Sequence, residues 1–186
     1  MRSNKFFAAI RVGVCCVVSL WCGVSLAHAQ ADTFTATAAL TGGANAPLTV
    51  VVQRYTSDRD RKTLVEALKK GGTGAARALL VKGRDLGSVQ IGDRQTVIKY
   101  VYSRKTLSGR QVTAVTAEPI AVAGAGTPAA GFDLGLVLLD LDASGAGHGD
   151  LVPATKIRVN EEGAFETEDY NGVVLRLANV AAKNRK

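Results

Sequence analysis

The residues whose types could support chemistry gather in one short stretch near position 140. Asp140, Asp142 and Ser144 occupy the first, third and fifth positions of a segment whose sixth residue is Gly145. This spacing matches the start of a calcium-binding loop, in which oxygen ligands alternate and the glycine permits a sharp turn. Position twelve is Leu151 in place of the bidentate glutamate, so the calcium pattern is incomplete.

The same stretch holds the only histidine that follows residue 29. His148 is followed two residues later by Asp150, and a serine hydrolase would pair this histidine with Ser144. Ser144 lies in no Gly-x-Ser-x-Gly motif, and zinc hydrolysis normally needs more than one imidazole. We therefore expect no catalytic residue, no cofactor and no metal, with Asp140, Asp142, Ser144 and Asp150 as the ligands if the domain is calcium-stabilised. We also expect the strand to end before Asp142, so that the carboxylates diverge into water.

The first 29 residues have the three-part pattern of a secretory signal peptide. Three basic residues precede an apolar run over 12–26, and Ala27-His28-Ala29 supplies small residues at both recognition positions. We expect cleavage between Ala29 and Gln30, a periplasmic or extracellular location, and no stable membrane anchor afterwards. All three cysteines precede that site, so the mature chain contains none.

Length and charge limit the classes of function. The 157 residues after the cleavage site are enough for one domain, predicted over 30–182 with a frayed tail at 183–186. That part has 20 Lys and Arg against 16 Asp and Glu, a mild excess. The basic residues cluster near the predicted helices without interleaved aromatic residues, which predicts a solvated helix face and argues against nucleic-acid binding. These clusters are Arg54, Arg59–Lys62, Lys69–Lys70 and Lys82–Arg84.

Hydrophobic periodicity predicts strands, then a helical hairpin, then more strands. Strands are predicted over 33–40 and 48–52. Ser57 is the expected N-cap of a helix that ends before Gly71. Thr73 is the expected N-cap of a second, shorter helix that ends near Gly83. The later strands are predicted over 86–91, 95–105, 110–118, 132–141, 154–160, 164–169 and 173–180.

Two stretches of small residues, 121–131 and 143–149, are predicted as loops. Asn171-Gly172 favours a type I′ turn, so the last three strands are predicted to form a meander. The expected fold class is α+β. We expect a single domain with a mostly antiparallel sheet or partly closed barrel of about nine strands, and a helical hairpin after the second strand.

Four segments carry a resemblance to a known group of proteins. They are Val65-Glu-Ala-Leu-Lys-Lys-Gly-Gly72, Val115-Thr-Ala-Glu-Pro-Ile120, Gly147-His-Gly-Asp-Leu-Val-Pro-Ala-Thr-Lys-Ile157 and Tyr170-Asn-Gly-Val-Val-Leu-Arg-Leu-Ala-Asn-Val180. Together they resemble exported β-rich proteins of soil bacteria such as acidobacteria, a group with no assigned activity. The resemblance implies export and one β-rich domain, and it carries over no functional residue.

The sequence as a whole favours an exported, non-catalytic protein of the cell envelope that binds a ligand or has a structural role. The ligand is unknown, and an envelope protein is one candidate partner. Two alternatives use the 140–150 segment: a calcium-stabilised domain and a hydrolase-like enzyme. All three interpretations depend on whether Asp140, Asp142, His148 and Asp150 converge in a concave site.

Overall fold

The computed structural model describes residues 32–40, 42–123, 126–159 and 165–183, which form one sheet-rich domain. The predicted signal peptide, with its cleavage site at Ala29 and Gln30, lies outside these residues. The elements are β1 (Asp32–Ala39), β2 (Asn45–Val52), α1 (Asp58–Lys82), β3 (Gly87–Ile91), β4 (Arg94–Lys105), β5 (Gly109–Thr116), β6 (Leu134–Asp142), β7 (Ala146–Val159), β8 (Phe165–Asp169), a 3-10 turn (Tyr170–Gly172) and β9 (Leu175–Lys183).

Eight of these strands close into an antiparallel barrel. Each of β1 to β7 pairs with the next, β9 pairs with β7, and β9 also pairs with β1 from Thr33↔Lys183 to Ala38↔Leu177. The sequence predicts a mostly antiparallel sheet or a partly closed barrel, and the described barrel is closed. The predicted frayed tail begins at Lys183, but Lys183 is a paired residue of β9. Residues 184–186 of that tail lie outside the described part.

Apolar side chains fill the inside of the barrel. All eight barrel strands contribute side chains to this core, as β1 does with Phe34, β2 with Val50 and β6 with Leu139. Phe34 and Val50 are fully buried and Leu139 is nearly so. Complete burial of such a side chain stabilises the fold by about 1.5–3 kcal/mol. The interior is therefore a packed core, and a ligand site has to be sought on the outside.

The helix α1 packs on the outer face of the barrel. Ser57 is its N-cap, as predicted, and accepts a hydrogen bond from the Asp60 backbone N–H at 3.1 Å. The helix buries Leu68 and Leu80 in a second apolar cluster that includes residues of β4 to β7. No helix among the described residues is long and apolar enough to cross a membrane.

The predicted helical hairpin is confirmed only in part. One helical element runs from Asp58 to Lys82, and it is interrupted at Gly71 and Gly72, whose backbone angles are not helical. The sequence predicts that Thr73 caps a second helix, but its side chain does not act as a cap. The Thr73 hydroxyl instead donates to the Ile157 carbonyl and accepts from the Ile157 N–H, each at 2.9 Å. This pair of bonds covers part of the edge of β7 and anchors the helix to the barrel.

The predicted C-terminal meander is wrong. β8 and β9 do not pair with each other among the described residues, and both pair with β7, over Val159–Thr155 and Leu151–Ala146. Asn171 and Gly172 have positive φ angles of 54° and 67°, as a type I′ turn requires. Here they separate β8 from β9, and both of these strands pair with β7. Pro153 lies in the unpaired part of β7 and has no N–H to offer a ladder, which favours a break at that point.

Candidate functional site

The segment that sequence reasoning singled out is a tight hairpin between β6 and β7. The predicted loop over 143–149 is shorter in the structure, because β7 begins at Ala146. A Cβ atom on Gly147 would come within 1.9 Å of the Asp140 carbonyl, and one on Gly149 within 2.3 Å of the Leu138 carbonyl. The glycines are therefore needed for close strand packing. Composition alone does not distinguish glycines in closely packed strands from glycines in a loop.

Asp142 closes the turn of this hairpin. One carboxylate oxygen accepts hydrogen bonds from the Ser144 hydroxyl at 2.6 Å, the Ser144 N–H at 2.8 Å and the Ala146 N–H at 3.1 Å. These bonds, with that of the Ser144 hydroxyl the strongest, hold the pKa of Asp142 below its ordinary value of 3.8. The strand includes Asp142, contrary to the sequence expectation, and the carboxylate is used in the turn.

The other candidate side chains have separate partners. Asp140 accepts a hydrogen bond from the Gln111 side-chain amide at 2.8 Å. Asp150 forms an ion pair with Arg176 of β9, with oxygen to nitrogen distances of 2.7 and 3.0 Å. His148 is exposed and lies opposite Asp140 in the ladder. Within the described ranges, no three His, Cys, Asp or Glu side chains are placed to hold a metal ion.

A concave site does exist elsewhere on the surface. A groove of about 570 Å³ lies between α1 and the barrel. It is bounded by residues 54–57, by residues from both ends of α1, by Gly83, Arg84 and Leu86, and by Lys99 and Tyr100 of β4. We call it the helix–barrel groove. Its volume is within the range of small-molecule sites, about 300–1,000 Å³. A straight helix of the 25 residues of α1 would be about 37 Å long, too long for both ends to reach one groove of this size.

The floor and one wall of the groove are apolar. They are formed by Leu64, Leu79, Leu80, Leu86 and Tyr100. Leu80, Leu86 and Tyr100 are buried, whereas Leu79 is 40% exposed. Leu79 is thus a large apolar side chain at the side of the groove with much of its surface in contact with water.

Cations surround this apolar surface. Arg54, Lys82 and Arg84 line the groove and are exposed, and their side chains have no ion-pair or hydrogen-bond partner in the described part of the chain. Lys99 differs, because its ammonium group contacts Asp85 at 2.7 Å and donates to the Gly83 carbonyl at 3.1 Å. The carboxylate among the described lining residues is Asp60, which accepts a hydrogen bond from the Ser57 hydroxyl at 2.8 Å. The site therefore has a positive balance of charge.

Backbone hydrogen bonds join the chain segments that carry Arg54 and Arg84. The N–H groups of Gln53 and Arg54 both donate to the Leu86 carbonyl, at 2.8 and 3.2 Å. This brings the segment before α1 against the segment that follows it. Arg54 and Arg84, which lie thirty residues apart in sequence, are consequently close along the fold.

Tyr100 supplies the groove with an uncharged polar group. It is only 9% exposed, and its hydroxyl has no hydrogen-bond partner among the described residues. Burial is the main reason that its pKa rises to about 12. The hydroxyl therefore keeps its proton at neutral pH and can donate it to an acceptor.

Tyr55, another residue that lines the groove, is fixed by a polar cluster. Its hydroxyl donates to Asp32 at 2.5 Å, and Arg110 contacts the same carboxylate oxygen at 3.0 Å. Burial, followed by the effect of Asp32, raises the pKa of Tyr55. The cluster ties the first residue of β1 to the segment before α1, so this wall of the groove is anchored to the barrel.

Sequence reasoning missed this site. It places Arg54, Lys82 and Arg84 on the solvated face of a helical hairpin. The available signal was that these cations lie near both ends of the predicted helical hairpin, a geometry that would bring those two ends together. That inference needs the backbone contacts of Leu86 with Gln53 and Arg54, which lie far from Leu86 in the sequence.

Comparison with known proteins adds no assignment. No family model, no curated protein and no solved structure gives a significant match to this chain.

Proposed function

We propose that this chain is an exported, non-catalytic binding protein that holds a small ligand in the helix–barrel groove. The observation that carries the proposal is the groove itself: an apolar concave surface of about 570 Å³ bordered by cations that have no partner in the described chain. The pattern of residues 1–29 and the resemblance to exported proteins of soil bacteria support export.

The arrangement favours binding over catalysis. Hydrolysis would need a nucleophile or an activated water held by a base. In the β6–β7 hairpin, Ser144 is bonded to Asp142, and Asp150 is paired with Arg176. The groove offers leucine side chains, cations and a tyrosine hydroxyl, which are groups that hold and orient a ligand. Its Ser57 and Asp60 side chains are bonded to each other at the N-terminus of α1, where Ser57 is the cap.

We also interpret α1 as a hairpin of two arms that forms one side of the site. The arms meet at Gly71–Gly72, and both arms line the groove. The lining residues are Asp60, Thr63 and Leu64 of the first arm and Leu79, Leu80 and Lys82 of the second. A ligand bound there would contact both arms and the barrel. Binding should therefore stabilise the packing of α1 on the barrel.

A thermal-shift screen of the chain from residue 30 onward tests the proposal. A ligand present at a hundred times its Kd adds about 2.7 kcal/mol, which corresponds to a rise in Tm of about 5–10 °C for a domain of this size. Leu79→Trp should fill the groove and remove the shift. Val81→Trp is the matched control, because Val81 lies on the same arm, is 53% exposed and does not line the groove. Equal shifts in both variants would place the ligand elsewhere and reject the proposal.

Export is tested separately by N-terminal sequencing of the protein from its native host or an equivalent bacterium. The expected mature N-terminus is Gln30. Recovery of the soluble protein with Met1 intact would contradict export and would leave the groove proposal unaffected.

A further inference from the structure

We infer that the ligand of the helix–barrel groove is a single-chain amphiphile, with an anionic head group at Arg54, Lys82 and Arg84 and an apolar chain along the leucines. This inference rests on the proposed function and adds the chemical class of the ligand. Three features of the groove support it: the unpartnered cations, the exposed apolar wall and the unpartnered hydroxyl of Tyr100.

The charge of the groove selects an anion. Arg54, Lys82 and Arg84 have no ion-pair partner in the described chain, while Lys99 is already neutralised by Asp85. Three cations in one concave surface repel one another, and a bound anion relieves that repulsion. Guanidinium groups bind carboxylates and phosphates through two parallel hydrogen bonds, so the two arginines suit either type of head group.

The apolar wall selects a hydrocarbon chain. Leu64, Leu79, Leu80 and Leu86 border the groove, and Leu79 exposes 40% of its surface to solvent there. A chain that covers this wall removes apolar area from water on both partners. Each methylene group that becomes buried strengthens binding by about two- to fourfold. A small hydrophilic anion would leave Leu79 uncovered and would gain none of this.

Tyr100 supplies a hydrogen bond to the head group. It lines the groove with nine-tenths of its surface buried, and its hydroxyl lacks a partner among the described residues. The hydroxyl oxygen is not itself among the buried atoms that lack a partner, so it is accessible from the groove. A carboxylate or phosphate oxygen of the ligand satisfies this donor, which a neutral hydrocarbon would not do.

Isothermal titration calorimetry with three probes tests the inference. Dodecanoate and dodecyl phosphate carry the anionic head on the same chain, and dodecanol carries an uncharged head. All three are used below the concentrations at which they aggregate. We expect dodecanoate or dodecyl phosphate to bind at least about tenfold more tightly than dodecanol, and the tighter of the two identifies the head group.

Two charge variants form a matched pair. Arg84→Gln removes a groove cation and should weaken binding of the anionic probe by about three- to tenfold, with little effect on dodecanol. Arg59→Gln removes the same charge from an exposed position of α1 that does not line the groove, and binding should stay within about twofold. Binding of the anion should also weaken as salt is raised from about 50 mM to about 500 mM.

The outcomes separate the ligand class from the existence of the site. Equal affinity for dodecanol and the anions, with all binding lost in Leu79→Trp, would overturn the anionic head group and keep the groove as a site. Failure of all three probes to bind would overturn the amphiphile class, and the ligand screen would still test the groove. Anion binding that persists in Leu79→Trp would overturn both proposals.

Discussion

The break in α1 can be tested with two glycines that lie two residues apart. Gly72 has φ 61° and ψ −155°, a combination that side-chain-bearing residues almost never adopt, and Gly74 lies in the helical second part of α1 with no positive φ. A Cβ atom added to either glycine would have no neighbour within 4 Å. Steric contact is therefore the same for both, and the backbone conformation alone distinguishes them.

The expected effects have opposite signs. Gly72→Ala places a side chain in a strained conformation, at a cost of about 1–3 kcal/mol. Gly74→Ala removes a flexible residue from a helix and should stabilise the protein by about 0.5–1 kcal/mol. For a domain of this size, Tm should fall by about 2–12 °C in the first variant and rise by about 1–4 °C in the second.

Thermal and urea unfolding of the chain from residue 30 onward measure both variants. If α1 is a hairpin, as proposed above, the break brings its two ends to the groove, and Gly72→Ala should weaken ligand binding as well. A Gly72→Ala variant as stable as the Gly74→Ala variant would mean that the helix continues through this point. In that case the two ends of α1 would not meet, and the helix–barrel groove could not have the shape described above.

Further variants test single interactions. Thr73→Val keeps the shape of the side chain but leaves the N–H and the carbonyl of Ile157 without their partner. It should lower the free energy of unfolding by about 1–3 kcal/mol. No loss of stability in urea unfolding would show that the anchor is absent. Leu68 faces the barrel from α1 and is 5% exposed, so Leu68→Ala should lower the free energy of unfolding by about 2–5 kcal/mol. Ser57→Ala should lower it by about 1 kcal/mol. Equal small losses of stability in the two variants would show that α1 is not docked on the barrel. Asp142 has a lowered pKa, so its contribution to stability is present above its ordinary value of 3.8 and is lost as pH falls through the lowered pKa. Urea midpoints measured from about pH 6 to about pH 2 should show a smaller acid loss in Asp142→Asn than in the parent protein, and parallel curves would contradict this role.

Local signals in the sequence predicted the local elements well. Ser57, followed by the acidic residues of the first turn, predicted the start of α1. The short connections at Gly92 and Gly109 predicted that the strands they join are antiparallel neighbours. These features depend on residues within a few positions of one another. The predicted strands at 86–91 and 95–105 accordingly match β3 and β4 to within a residue.

Long-range pairing was the part that the sequence did not predict. Nothing near Thr33 indicates that β1 pairs with β9, which lies at the other end of the described chain. At Asn171-Gly172 the local turn preference is satisfied, since both φ angles are positive, but pairing of β8 and β9 with β7 decides the path of the chain. The candidate site was missed for the same reason, because the groove joins residues near position 54 to residues near position 84.

The central claim is that a ligand binds outside the barrel, between α1 and β4. A titration of leucine-methyl-labelled protein with dodecanoate, followed by NMR, tests it most directly. We predict shifts in the methyl signals of Leu64, Leu79 and Leu86, which line the groove, and none in those of Leu139 and Leu151, which are buried inside the barrel. Shifts confined to Leu139 and Leu151, or saturable binding with no change at Leu79, would contradict it.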